Sequence, residues 1–511
     1  MRDRIFYFTA RMPGVFFAGM LLVVFVVVNG VSGRAVGAVL ARGGDGDVPA
    51  GLNTAEWTQI SSQRLVSGQE AKLAADDAQI SDFFGNAIAV DGDTVVVGAF
   101  GEKGGVGDPM WHAGAAYIFE RNQGGTGNWG QAAKLTAGDP GFMDQFGQAA
   151  AISGSTVAVG APYENGGDGN PIPDAGAVYI FERDQGGVGN WGQVVKVTAG
   201  DTGEDDNFGL AVSLSGDTLV VGAPGEDGGP GDPMPYVGAV YVFERDEGGP
   251  DNWGQVIKLV SSDAQGGDGF GSAVAVNGNT LVAGSPTEGG GPGDPMNWAG
   301  AAYVFERNEG GPDNWGEVVK LTGSDTQTFD HFGFAAAIDG DTIIVGAPFE
   351  EGGPGDPLFV AGAAYVFERD QGGPGNWGEV ARLAASDPGE GDYFGRQVSV
   401  SGDTVISGSP NESGGPGDPL SRAGAAYIFR RDQGGAGNWG ETVKLMAGDA
   451  EADDVFGSAV AVNNDGLFFI GAVDGDVDGP PSVQDSGVAY IFSVNIGVEY
   501  MIYLPAVLEL E

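Results

Sequence analysis

Short apolar runs broken by Gly, Asp and Pro recur along most of the chain, and residues 208–224, FGLAVSLSGDTLVVGAP, show the pattern whole. Two apolar runs, 211–214 and 218–221, meet at Ser215-Gly216-Asp217. A Gly at such a hinge supplies the positive φ that a tight β-hairpin turn demands, so the stretch is predicted as a hairpin. Two further runs follow it. The unit therefore reads as four strands: 208–214, 218–221, 238–245 (GAVYVFER) and 255–260 (QVIKLV). Several are apolar at consecutive positions, as expected of strands covered on both faces.

The unit repeats. Phe-Gly begins at Phe84, Phe146, Phe208, Phe270, Phe332, Phe394 and Phe456, and every step is 62 residues. Seven units of four strands predict an all-β chain, a seven-bladed β-propeller of antiparallel blades. The length of the period sits in two loops, 225–238 and 246–254. An open solenoid of stacked β units is the competing reading. The ends favour a ring. The fourth strand carries a basic residue followed by Leu73, Leu135, Val197, Leu259, Leu321, Leu383 or Leu445. The first of these precedes the first Phe-Gly, and the last unit (456–493) lacks its own. The segment at 70–74 is therefore expected to complete the last blade, which buries edges that an open stack leaves unpaired.

Outside the repeats, Arg2, Arg4 and Arg11 precede an apolar run at 15–28, and Val36-Gly37-Ala38 reads as a signal-peptidase site with cleavage after Ala38. Residues 1–38 are thus expected to be a signal peptide and the protein secreted or held at the cell surface. The alternative is an uncleaved N-terminal membrane anchor over 12–31. Residues 39–68 read as a linker with one strand near Trp57, 69–495 as the propeller and 496–511 as a tail. The apolar stretch of that tail, 500–508, is too short to cross a bilayer, so no membrane span is expected in the mature chain.

Gly (95) and Pro (27) make up about a quarter of the 511 residues, a share that suggests disorder until their fixed placement between apolar runs identifies them as turns. The net charge of −47 repels a phosphate backbone and argues against nucleic-acid partners. Solubility, adaptation to high salt or attraction of cations could each account for it. With no Cys, and with His112 and His331 in non-equivalent contexts, no disulfide, catalytic triad or multi-histidine metal site is expected.

Phe-Gly followed about 14 residues later by Gly-Ala-Pro (Gly160-Ala161-Pro162, Gly222-Ala223-Pro224 and Gly346-Ala347-Pro348) resembles the FG-GAP repeat of integrin alpha-chain N-terminal propellers and their bacterial relatives. Other copies drift, to Gly98-Ala99-Phe100, Gly284-Ser285-Pro286, Gly408-Ser409-Pro410 and Gly471-Ala472-Val473. The resemblance covers about residues 70–494 and implies an extracellular ligand-binding or adhesive propeller. Many members of that family carry a DxDxDG calcium loop between the two marks. Here the connection is only a turn such as Asp91-Gly92-Asp93, which cannot supply six to eight oxygens, so neither calcium nor another cofactor is expected.

Each Phe-Gly is preceded by two Asp five residues apart, from Asp77/Asp82 to Asp449/Asp454. They read as acceptors for turn N–H groups in every blade. Weaker cation candidates are Asp201, Glu204, Asp206, Asp449 and Asp454. The in-phase Arg after the third strand (Arg121, Arg183, Arg245, Arg307, Arg369, Arg431) is expected to pair with a carboxylate or cap a hairpin, and the Trp of each Asn-Trp-Gly to pack on an outer strand, with sugar stacking as the alternative. The copies differ most after Gly-Asp-Pro, where Trp111, Tyr236, Trp298 and Phe359 occur. In a propeller these loops and the blade-to-blade loops emerge on one face. That face either presents aromatic anchors to a ligand or folds them back over the blade ends.

The sequence thus reads as a monomeric, non-enzymatic adhesion or binding module for a cell-surface protein or glycan. The alternatives are a structural envelope protein and a polysaccharide hydrolase or lyase using carboxylates, for which Asp205/Asp206 and Asp453/Asp454 are the nearest pairs.

Overall fold

The second and third strands of each unit are apolar at every inner position because neighbouring blades cover both their faces: Thr218–Ala223 is buried throughout, as are the first five residues of Ala239–Arg245. The computed structural model describes residues 67–494, apart from 104–109, 166–171, 229–233, 290–295, 352–357, 414–419, 478–482 and a few turn positions between third and fourth strands. It also describes the strands Val23–Val28 and Ala35–Leu40, an antiparallel pair whose second member holds the expected cleavage point. The strand expected near Trp57 and the tail lie outside the described residues. Among the described residues no helix is long and apolar enough to cross a membrane.

Seven four-stranded antiparallel sheets form the blades, here numbered one (first strand Phe84–Asp91) to seven (first strand Phe456–Val462). In blade three, Ser215 pairs with Thr218 across a two-residue turn in which Gly216 has φ +59°, as the hinge requires. The first strand differs from expectation: it begins at Ala211, not at Phe208. Gly209 sits at φ +95°, which takes Phe208 out of the sheet to form a parallel bridge with Gly176 of the preceding blade. The fourth strand spans Trp253–Leu259 where 255–260 was expected, with a bulge that leaves Val256 unpaired and exposed.

Strand Ser67–Leu73 lies beside Val488–Val494 and completes blade seven, as the count of fourth strands predicts. Lys72 Nζ reaches Asp449 at 2.5 Å and the Gly448 N–H donates to Gln69, so this N-terminal strand makes the seam contacts made by every other fourth strand. The first strand of blade seven also packs against that of blade one, which closes the ring and excludes the open solenoid. The first strands of all seven blades line a central channel whose cavity is about 190 Å³.

The two glycines of the sequence signature meet across every seam. A Cβ on Gly222 would overlap the carbonyl oxygen of Gly271 in the next blade; Gly98 faces Gly147 in the same way, and Gly471 faces Gly85. The repeated motif is therefore the device by which inner strands approach closely around the axis.

Candidate binding face

Charged groups repeat inside each blade, and the structure gives them structural work. In blade three the Tyr241 hydroxyl donates to Asp201 at 2.8 Å, and Lys258 bridges Asp201 at 2.8 Å and the fully buried Glu226 at 2.7 Å. The same Tyr, Asp, cation and Glu recur in blades one, two, four, five and six, with Arg382 replacing Lys in blade five. In blade seven Gly475 stands at the Glu position, and Asp449 keeps only Tyr490 and Lys72 of this set. The glutamates went unread in the sequence, and the basic residue of the fourth strand was read as a repeat mark with no partner assigned; the glutamates' constant offset behind Gly-Ala-Pro was the available signal. Burial pushes the Asp201 carboxyl up, but the donated bonds from Lys258 and Tyr241 outweigh it and hold its pKa below the usual value.

The second Asp of each pair is buried and accepts a backbone N–H three residues earlier, as Asp206 does from Gly203 at 2.5 Å and Asp454 from Glu451 at 2.7 Å. Four of the five cation candidates are thus engaged by the protein itself, and Glu204 lies exposed on the surface. Nor do the two proposed catalytic pairs converge. Asp205 is exposed while its neighbour Asp206 is buried, and Asp453 meets Arg422 at 3.4 Å.

Desolvation raises Asp82, Asp144, Asp206, Asp268 and Asp454 to about 6 and Asp330 to about 7. An unfolded Asp ionises near 3.8, so between that value and about 6 the folded chain holds more protons than the unfolded one. Stability must then fall as pH rises through this window. Asp77, Asp201, Asp263 and Asp449, whose pKa values are lowered, act the other way and cost stability only on further acidification. The melting temperature is expected to peak near pH 4 and to be several degrees lower at pH 8. A thermal scan that rises steadily from pH 5 to pH 8 would refute this.

At the opposite end of the blades, five of the six in-phase Arg cross a seam. Arg245 meets Glu182 of the previous blade at 2.6 Å and Arg307 meets Glu244 at 2.6 Å, with Arg183–Glu120, Arg369–Glu306 and Arg431–Glu368 alike. Each of these guanidinium groups also covers the Trp of its own blade, as Arg369 covers Trp377 at 4.5 Å. Those Trp rings serve packing. The ladder stops at blade seven, where Ser493 and Val494 replace the pair, and Arg121 turns instead to Asp93 at 3.6 Å.

The face formed by the loops between second and third strands is different. Each of these loops hydrogen-bonds the blade-to-blade loop beside it: Gly269 N–H donates to Tyr236 O, His331 to Trp298 O and Gln145 to His112 O. Both residues of each such pair have positive φ, including Tyr236 (57°), Trp298 (56°) and His331 (54°). A bulky residue there is strained. Because all seven blades share the geometry, the strain belongs to the frame, and variation among the side chains rides on it.

Trp111, Tyr236, Trp298 and Phe359 are 49%, 54%, 51% and 58% exposed, so they do not fold back over the blade ends. Ile80, Phe142, Met143 and Phe329 of the blade-to-blade loops are also exposed, and sequence reading missed them because they share two repeat positions that are polar or small in the other five copies. Most exposed large apolar side chains of the described residues thus gather on one face. They form two groups. In blade one Trp111 lies 4.8 Å from His112, with Lys103 over its ring at 4.8 Å. Beside them an open recess of about 520 Å³ is lined by Ile80, Lys103 and Val483. Across blades four to six, Trp298 meets Phe329 and His331, His331 meets Phe349, and Phe349 meets Phe334 and Tyr393, all with ring centres 4.7–6.2 Å apart. Tyr236 and Phe359 join neither group through a ring contact among the described residues.

The family model described as FG-GAP repeat matches residues 67–119, 129–181, 191–243, 253–305, 315–367, 377–429 and 439–492. Each match runs from the fourth strand of one blade through the third of the next, so the repeat is offset by one strand from the blade, which is the offset that closes the ring. No curated protein sequence matches the chain.

Proposed function

Because the chain belongs to the FG-GAP repeat family across all seven blades, we propose that it is an exported or cell-surface binding and adhesion module whose ligand, a surface protein or glycan, docks on the loop face. The carrying observation is the concentration of exposed aromatic and apolar side chains on that one face, where they stand among exposed acids such as Glu204, Asp205 and Glu390. Such anchors among polar groups are what recognition surfaces use, and a contiguous apolar face is otherwise a liability for a soluble protein. The buried carboxylates are already engaged in holding the blades, which favours binding over hydrolysis.

A screen of surface glycans and proteins against the wild type and a Trp111→Ala/Tyr236→Ala/Trp298→Ala variant tests this reading. The variant is expected to keep its melting temperature and to lose about tenfold or more in affinity for any ligand found. Unchanged affinity would remove the face from consideration. A chelator is expected to leave binding intact, since the hairpin turns offer too few oxygens for calcium; loss of binding on chelation would contradict that.

A further inference from the structure

The residue that follows each Phe-Gly sits at the channel mouth, next to the loop face. Elsewhere the signature repeats closely, but here the seven positions read Asn86, Gln148, Leu210, Ser272, Phe334, Arg396 and Ser458. Five of them line the channel cavity. Arg396 supplies the single charge of this ring. Its guanidinium lies over Phe334 at 5.3 Å, and no carboxylate lies within ion-pairing distance among the described residues. Arg422 on the same face is by contrast held by Asp453. Crowding pulls the Arg396 pKa down, and the one ionisable neighbour that counters this is Tyr393, not an acid. Around the mouth, Asn86 Oδ1, Gln148 Oε1 and Ser458 Oγ are buried without hydrogen-bond partners among the described residues.

We propose that the channel mouth at Arg396 seats the carboxylate of a terminal acidic sugar, with the ridge from Phe334 through Phe349 to Trp298 receiving the pyranose rings. Stacking on Phe334 covers one face of the guanidinium and leaves its in-plane N–H groups for a carboxylate, the two-pronged match at which arginine excels. The aromatic ridge begins at that cation and ends at the exposed Trp298 and Phe329, so one ligand meets both. The apolar faces of sugar rings suit such aromatic rings. The overall charge sets the ligand's limit: a polyuronate would be repelled along its length, whereas one acidic residue capping a neutral glycan presents its charge only to Arg396.

This inference rests on the loop face being the binding face. Saturation-transfer NMR on the full chain tests both levels separately, with a linear neutral tetrasaccharide capped by a terminal glucuronate (the glucuronide) and the same oligosaccharide ending in glucose as probes, each long enough to reach from Arg396 towards Trp298. The glucuronide is expected to bind about tenfold more tightly, the scale of a charged hydrogen bond, and Arg396→Gln to abolish that preference without changing the melting temperature. Trp298→Ala is expected to weaken both sugars alike. A preference that survives Arg396→Gln, or wild-type binding with no preference, overturns the acidic seat; if Trp298→Ala still weakens both sugars, the binding face stands. Failure of both sugars to bind wild type overturns the acidic-sugar assignment, and the surface-protein arm of the screen then decides the face by itself.

Discussion

Gly222→Ala is expected to prevent stable assembly of the ring, at a cost of more than about 3 kcal/mol, although it adds one methyl group. Ordinarily Gly to Ala in a strand stabilises by restricting the unfolded chain. Here the added Cβ would overlap the carbonyl oxygen of Gly271, a backbone atom of the next blade that cannot rotate away. Relief would require blades three and four to separate at the channel, where both are fixed by their other neighbours. Gly216→Ala provides the control: it also lies in the hairpin, at φ +59°, but nothing stands within 4 Å of the place its methyl would take, so only the backbone penalty of about 1 kcal/mol applies. Denaturant unfolding of both variants separates the cases. Equal losses would mean that the seam yields and that the glycine contact is not what fixes blade spacing.

Deleting residues 67–74 is expected to abolish cooperative folding, the second large effect. The deletion removes the fourth strand of blade seven and leaves Val488–Val494 as an open edge. It also takes away Leu73, buried in a cluster that includes Phe84, Phe119, Phe469 and Ile491, together with the Lys72 and Gln69 contacts to blade six's outgoing loop. A ring has no free ends, so loosening one seam weakens its neighbours. An unpaired apolar edge further invites association with other chains. Size-exclusion chromatography should show aggregates or expanded species and calorimetry no sharp transition. A monomer that melts like the wild type would show that Ser67–Leu73 is not needed to close the ring. Leu73→Ala should reproduce part of the loss, about 2–5 kcal/mol, without removing a strand.

The repeat was legible because each of its marks answers a local demand that every copy shares: Gly216 for a turn, Phe208 for a core, Thr218–Ala223 for a strand covered on both sides. Counting fourth strands was enough to place Ser67–Leu73 in blade seven, since an unfilled edge has one complementary strand to take. The two signature glycines could be located but not explained, because the atoms that forbid a Cβ at Gly222 belong to another blade. The buried Glu226 looked like one more acid of an acidic surface until the fold put Lys258 beside it.

The candidate face divides the same way. The seven-bladed ring, its closure and the loops in which the copies diverge, with Trp111, Tyr236, Trp298 and Phe359 in them, were readable along the chain. These follow from period and polarity, which are properties of neighbours along the chain. It took the folded ring to show that those side chains stay exposed, that Trp298, His331, Phe349 and Phe334 from successive blades form one ridge, and that Arg396 stands at its inner end with no carboxylate paired to it among the described residues. Burial and charge pairing between residues tens of positions apart depend on which blades touch, and the radial arrangement brings one residue from each of several repeats to the same axis.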